Sequence, residues 1–417
     1  MKRILLSVFA AAVTVAWTVP ASADVTFGGE YRARGEYRNN QLFDDNVDDS
    51  RAYIGQRIRI TANAQATDDV SMKFTLQDTR ILGGSDALIT DTTESPDFHE
   101  AYLNVSNIFD TPVNFRIGRM ELAYGDQRLI GNFAWSNNGR AFDGIKLSYA
   151  QEGLNVDIFR MTLTETVVVA TSANTGGVTL TGTNDDTTLN GIYATLGQII
   201  PNNTLDVYLL NVHNGGGTWG AAIGDDVYTV GARLAGSAAG LDYTVEFPYQ
   251  FGDNATGNDI KAWALAAKAG YTIPGAPMNL RVGAEFDYAT GDDDPTDTDD
   301  ETFRNLFPTN HAHFGNIDDP SVNTWSNIQA WSLNVSANVT EKLRVYAAYW
   351  DYTRNEVAPG ASDDLGSSID LVATYKYNNN LTIEAGASRL MPGDIQAPAG
   401  SPDDDQDWAY LQFTGKF

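Results

Sequence analysis

Val25-Thr-Phe-Gly-Gly-Glu-Tyr-Arg-Ala-Arg-Gly-Glu-Tyr-Arg38 alternates without a break, with Val25, Phe27, Gly29, Tyr31, Ala33, Gly35 and Tyr37 set against Thr26, Gly28, Glu30, Arg32, Arg34, Glu36 and Arg38. A period of two sends successive side chains to opposite faces of a strand, so every charge here falls on one face. The pattern recurs down the chain. In 57–65, Ile58, Ile60, Ala62 and Ala64 share a face, and after the polar turn 66–69 so do Val70, Met72, Phe74 and Leu76. In Trp408-Ala-Tyr-Leu-Gln-Phe-Thr-Gly-Lys-Phe417, Leu411, Phe413, Gly415 and Phe417 alternate with Gln412, Thr414 and Lys416.

Strands are expected at 25–38, 57–65 and 70–76, then near 98–106, 113–124, 140–149, 154–169, 187–199, 204–213, 226–236, 241–252, 259–273, 278–290, 326–339, 343–354, 367–377, 381–392 and 407–417. That makes eighteen, joined by eight short connections and nine long ones in strict alternation. Short turns against long loops, with an even strand count, predict an all-β fold: a transmembrane antiparallel β-barrel with short periplasmic turns and long extracellular loops. Leu154 to Ile158 and Thr162 to Thr166 sit on different parities, which predicts a bulge at Phe159-Arg160. Tyr149, Trp263, Tyr271, Tyr288, Trp331, Tyr349, Tyr375, Tyr377 and Trp408 are expected on the outer face as interfacial girdles. The aromatic Phe417, closing its strand, resembles the ending by which outer-membrane barrels are recognised by the assembly machinery.

Met1-Lys-Arg, the apolar run from Ile4 to Trp17 and the small-residue site Ala21-Ser-Ala23 make the three parts of a secretory signal. The chain therefore divides into a leader at 1–23 and a barrel at 24–417. The apolar run is shorter than the roughly 20 residues of a membrane-spanning helix. Zero cysteines exclude disulfides and c-type haem attachment. A net charge of −27 and modest hydropathy suit a wall in which only every second residue meets lipid.

Gly118-Arg-Met-Glu-Leu-Ala-Tyr-Gly-Asp-Gln-Arg-Leu-Ile-Gly131, followed by Trp135-Ser-Asn-Asn-Gly-Arg140-Ala-Phe-Asp-Gly144, carries more specific residues than barrel building requires. It resembles the alginate-export family of outer-membrane porins, in which a Gly-Arg-Gln strand end leads into Tyr-Gly-Asp/Glu-x-Arg-Leu, then Trp-x-Asn and Arg-x-Phe-Asp-Gly. Met120 stands where Gln is usual. The resemblance implies an 18-stranded channel for an anionic polysaccharide, narrowed by loops and served by periplasmic export partners. By position it makes Arg119, Arg128 and Arg140 lumen or constriction cations, with Asp143 as their ionic partner. An alternative of equal weight has Arg119, Arg128 and Asp143 as a salt-bridge cluster pinning a loop inside the barrel.

Inward parity adds Arg32, Arg34, Arg57, Arg59, Lys73 and Arg116 as pore-lining residues, and Lys146 beside them. Guanidinium groups bind carboxylates bidentately, which suits a path for uronate units. Residues 24–160 carry net −7 and 161–417 net −22. Asp206, Asp242, Glu246, Glu285, Asp287, Asp370 and Glu384 fall on inward parity in the second part, which predicts an acidic wall opposite a basic one. A second function stays open on these residues, a diffusion porin for small solutes that leans toward cations. A barrel sheath around a cytochrome is a third, weakened by the narrow bore of eighteen strands.

No Gly-x-Ser-x-Gly, His-Glu-x-x-His or Walker pattern occurs, so no enzyme activity and no cofactor are expected. The acidic runs at 44–49, 291–301, 363–364 and 403–405 belong to external loops, which could take up Ca²⁺ but lack the spacing of an EF-hand. His311-Ala-His313 is a weak metal signal without a third ligand.

Overall fold

The computed structural model describes residues 24–83, 96–165, 169–173, 177–181, 186–197, 199–215, 225–398 and 400–417. The expected leader at 1–23 lies outside them. Among the described residues, strands β1 Asp24–Asn39, β2 Arg51–Gln65, β3 Val70–Ile81, β4 Asp97–Val105, β5 Val113–Met120 and β6 Phe142–Gln151 form the first third of the wall. The second third is β7 Leu154–Thr164, β8 Thr187–Gly197, β9 Asn203–Asn214, β10 Asp226–Ala238, β11 Leu241–Asp253 and β12 Asp259–Thr272. The last is β13 Arg281–Ala289, β14 Ile328–Asn338, β15 Leu343–Thr353, β16 Asp364–Lys376, β17 Leu381–Pro392 and β18 Gln406–Lys416. Each pairs antiparallel with the next, and β18 returns to β1 from Asn39↔Asp407 to Glu30↔Lys416. The eighteen strands thus close into a cylinder that leaves no sheet edge, as hydrocarbon demands.

Alternation sorts the two faces. Phe27, Ile60, Phe74, Leu209, Phe247, Leu333, Leu371 and Phe413 are exposed on the outside, whereas Arg32, Arg34, Arg57, Gln77, Asp206, Glu246, Asp287 and Asp370 are buried inside. A protein in water would pay for such an outer surface; a bilayer rewards it. Trp263 stacks on Tyr288 at 4.6 Å and Trp331 meets Tyr349 at 5.5 Å on this outer face. Trp408 does not join them. It is buried on the inward parity, donating its indole N–H to Glu36 Oε2 at 3.2 Å.

Two boundaries depart from the expected ones for a shared reason. β5 stops at Met120 rather than 124, and β6 starts at Phe142 rather than 140. Met120 and Phe142 pair across the sheet with both side chains buried inside, and from there the chain turns into the lumen. The bulge falls not at Phe159-Arg160 but at Leu163, where the β7–β8 register jumps from Thr162↔Thr188 to Thr164↔Thr187. Phe159 and Met161 can thereby both face inward, buried.

Candidate functional site

The connection 121–141 does not project outward; it folds back inside the cylinder, held by the arginines of β1 and β2. Arg32 donates to the carbonyls of Ala134 at 2.9 Å and Ser136 at 2.8 Å, and to Asn137 Oδ1 at 2.8 Å. Arg57 reaches the same two carbonyls at 3.0 Å while its other edge pairs with Glu30. Arg34 holds the Trp135 carbonyl at 2.8 Å and lies 3.9 Å over its ring. Arg59 and Gln77 both donate to the Asn138 carbonyl. The contact is close enough that a Cβ on Gly55 would sit 2.5 Å from the Asn137 amide. At the loop's start Glu121 meets His99 at 2.6 Å and Arg59 at 3.2 Å. Burial opposes its charge, but hydrogen bonds from His99 and Asn132 outweigh this and pull its pKa down to about 2.

A second long connection, 290–327, comes in from the opposite wall and interlocks with the first. Gly131 donates to the Phe307 carbonyl, Phe307 to Leu129 and Thr309 to Gln127, at 2.8, 2.8 and 2.9 Å. Phe303, Phe307, Phe314, Ile317, Val322 and Trp325 are fully buried along this connection. The ring of Trp135 lies flat on His311 at 3.7 Å, and His313 Nε2 meets the Asp126 carbonyl at 2.8 Å. Burial first, then nearby Arg128, push the His313 imidazole well below its ordinary range, so it sits neutral. Arg140 donates to the carbonyls of Phe307 and Pro308, and burial brings it down to about 10. Arg128 reaches across to Glu285 and, at 2.8 Å, Asp287 of β13; Asp126 is held by Arg233 and Lys268. Together the two loops make a diaphragm across the bore.

Below the diaphragm the wall is polar and open. Lys73 pairs with Glu100 at 2.5 Å, Lys146 with Asp157 at 3.0 Å and Arg281 with Asp242 at 2.6 Å. On the β7–β9 side, rings stack in series: Phe159 on Tyr124 at 5.5 Å, Tyr124 on Tyr193 at 4.4 Å and Tyr193 on Tyr208 at 5.4 Å. Tyr124 donates to Asp157 and Tyr208 to Glu246, so the aromatic series is tied to the ionic one.

The family model described as alginate export matches residues 23–409. The chain belongs to the alginate-export family. Its fold is shared with solved Pseudomonas aeruginosa outer-membrane proteins. OpdL superposes with a TM-score of 0.64 at 11% identity over 94% of this chain and 99% of that one. OpdK gives 0.63 at 12% over 94% and 98%, and OccK2 (OpdF), solved in complex with glucuronate, 0.59 at 12% over 94% and 98%. No curated protein matches. This alginate-export barrel is a passive channel of the Gram-negative outer membrane and not an enzyme.

Within the family motif, Arg128 and Arg140 lie inside the diaphragm, but Arg119 and Asp143 do not face the lumen. They pair with each other at 2.7 Å on the outward parity of Ile117 and Ile145, both about half exposed. Their lumen assignment is corrected accordingly: Gly118 and Gly144, one step along, take the inward positions. Nor does Asp143 partner Arg128, whose carboxylates come from β13. Lys73 and Arg116 project inward below the loops, while Arg32, Arg34, Arg57 and Arg59 face inward behind them. The expected basic and acidic walls consequently do not confront each other across open water, since the diaphragm lies between and most charges are paired locally.

Residues that the sequence did not single out complete the arrangement, namely Glu30, Glu121, Asp126, Arg233 and the tyrosine series. Glu121, Tyr124 and Asp126 lay within the quoted motif. Among the acidic loops, the carboxylates of Asp292, Asp293 and Glu301 come within 4.8 Å of one another. Burial and mutual repulsion raise Asp292 and Glu301.

Proposed function

We propose that the channel passes short anionic saccharides made of uronate units, down their gradient and past the edge of the diaphragm. The observation that carries this reading is the inward course of Lys73, Arg116, Lys146, Arg233 and Lys268 beneath two loops that narrow the bore. Cations held in polar surroundings lower the entry barrier for carboxylates without trapping them. The family's description and the glucuronate bound by the structurally similar OccK2 (OpdF) support the same substrate class. A narrowed bore suits mono- and oligosaccharides better than a bulky chain.

A second reading, general passage of small solutes with a lean toward cations, is favoured by one observation: Lys73, Lys146, Arg233 and Lys268 each have a carboxylate partner. Planar-bilayer recording separates the two. Block of the salt current by micromolar to millimolar trigalacturonate supports the saccharide reading; cation selectivity without block defeats it. The proposal extends to four further points. Cleavage after Ala23 predicts an intact mass starting at Asp24, and a retained leader refutes it. Recognition of Phe417 by the assembly machinery predicts that its removal lowers the yield of folded barrel. Periplasmic partners would deliver the saccharide, testable by crosslinking at the short turns. Ca²⁺ at Asp292, Asp293 and Glu301 predicts a chelator-sensitive thermal midpoint, and an unchanged midpoint rules it out.

A further inference from the structure

Arg116 of β5 stands directly opposite Lys146 of β6, both on the inward parity. Like charges at facing positions of a sheet are destabilising, and a wall selected only for strength would place a carboxylate there. The acid of the adjoining strand is already committed: Asp157 takes Lys146 at 3.0 Å and the Tyr124 hydroxyl at 2.8 Å. The Lys73 ammonium is likewise taken by Glu100. Arg116 instead rests its guanidinium 4.3 Å above the ring of Tyr102, and its shielded Nε has no hydrogen-bond partner. Among the described residues it pairs with no carboxylate.

The surroundings fit a ligand. Arg116 lines a recess of about 340 Å³ on the periplasmic side, shared with Lys73, Thr26, Asn63, Ser71 and Asn104, with Asp24 also on its wall. Lys146 lines a second, of about 410 Å³, that lies under Tyr124 and Gly125 of the diaphragm. Both volumes fall within the roughly 300–1,000 Å³ of small-molecule sites. The two cations therefore form a saddle between a lower recess rich in amides and hydroxyls and an upper one roofed by the first loop.

We infer that Arg116 and Lys146 form a carboxylate-binding subsite of the periplasmic half, where a uronate unit is captured before it meets the diaphragm. The inference rests on the saccharide reading above and names its site. With its Nε shielded against the protein, a guanidinium stacked on Tyr102 offers its two Nη groups, an edge that accepts a carboxylate through two parallel hydrogen bonds. Lys146, paired with Asp157, can share its ammonium with the incoming carboxylate, and Asn63, Asn104, Thr26 and Ser71 offer partners to the ring hydroxyls. The sugar would thus be read by its charge and its hydroxyls together.

The test is sided block of the full-length channel in planar bilayers by trigalacturonate, with uncharged maltotriose as control. For R116Q, block from the periplasmic side should weaken roughly tenfold, about the size of one charge-assisted hydrogen bond. R116K, which keeps the charge and loses the fork, should fall between R116Q and the unaltered protein, and heat-modifiable migration on gels shows that each variant is folded. Unchanged block in R116Q overturns the subsite alone, leaving the saccharide reading standing. A loss of maltotriose block equal to that of trigalacturonate also overturns it, because the site would then not read the carboxylate. No block of the unaltered channel from either side overturns both.

Discussion

The upper and lower halves of this lumen are built from the same side chains put to opposite uses. Above, Arg32, Arg34 and Arg57 are buried, and each donates to carbonyls of the 121–141 loop. Below, Arg116 faces a polar recess with no acidic partner among the described residues. Inward parity alone does not make an arginine part of a transport path. What decides is whether the chain returns to cover it, because carbonyl oxygens satisfy a guanidinium without contributing net charge.

That contrast can be broken most forcefully from above. Replacing Arg32 and Arg57 together by Ala removes the clamp on Ala134 and Ser136 and leaves Glu30 only its longer pair with Lys416 at 3.4 Å. A loss on the order of 5 kcal/mol in urea unfolding is expected, with larger and noisier single-channel currents. A steady current of native size would show that the loop is held by other contacts. Arg128→Ala should come next, at about 3–5 kcal/mol, since it leaves Glu285 and Asp287 without their buried counter-charge. If Asp287→Asn in that background restores no stability, repulsion between the stranded carboxylates is not the cause.

Acid offers a gentler probe. The Glu121 carboxyl is depressed to about 2 in the folded channel, against about 4.3 for an unfolded chain. Its contribution is therefore complete above roughly pH 5 and fades as the pH falls toward 2. Current noise should rise over that window and lose this dependence in Glu121→Gln; an identical pH profile in the variant would clear Glu121 of the role. The smallest effect belongs to Arg119→Ala. Its exposed pair with Asp143 on the outer face is worth about 0–1 kcal/mol, and conductance should not change. Altered ion selectivity in this variant would return Arg119 to the lumen.

The cylinder was legible because lipid on one side and water on the other impose a strict period of two, which survives any choice of individual residue. Eighteen strands and their short and long connections could be counted on that basis alone. The outward position of Arg119 could have been counted too, since it shares the parity of Ile117. Loops narrowing the bore were implied by the family resemblance, but the contacts that hold the diaphragm were hidden for a different reason. Apart from the Arg32 bond to Asn137, Arg32 and Arg57 bind backbone carbonyls of the loop, which every residue has, so little in the side-chain pattern of 121–141 announces the contact. One clue did exist in 290–327, where Phe303, Phe307, Phe314, Ile317, Val322 and Trp325 punctuate an otherwise acidic external connection. Apolar residues at that density have little reason to sit in water.

The stitching of the two loops also constrains the order of events during biogenesis. Ile130 bridges to Phe307, and Arg38 of β1 donates to the carbonyl of Ile317, 279 positions away. Contacts so remote along the polypeptide cannot form until most hairpins have been laid down, and their closure is slow. The nascent tube is consequently wide before it is narrow, since its diaphragm waits on the second loop.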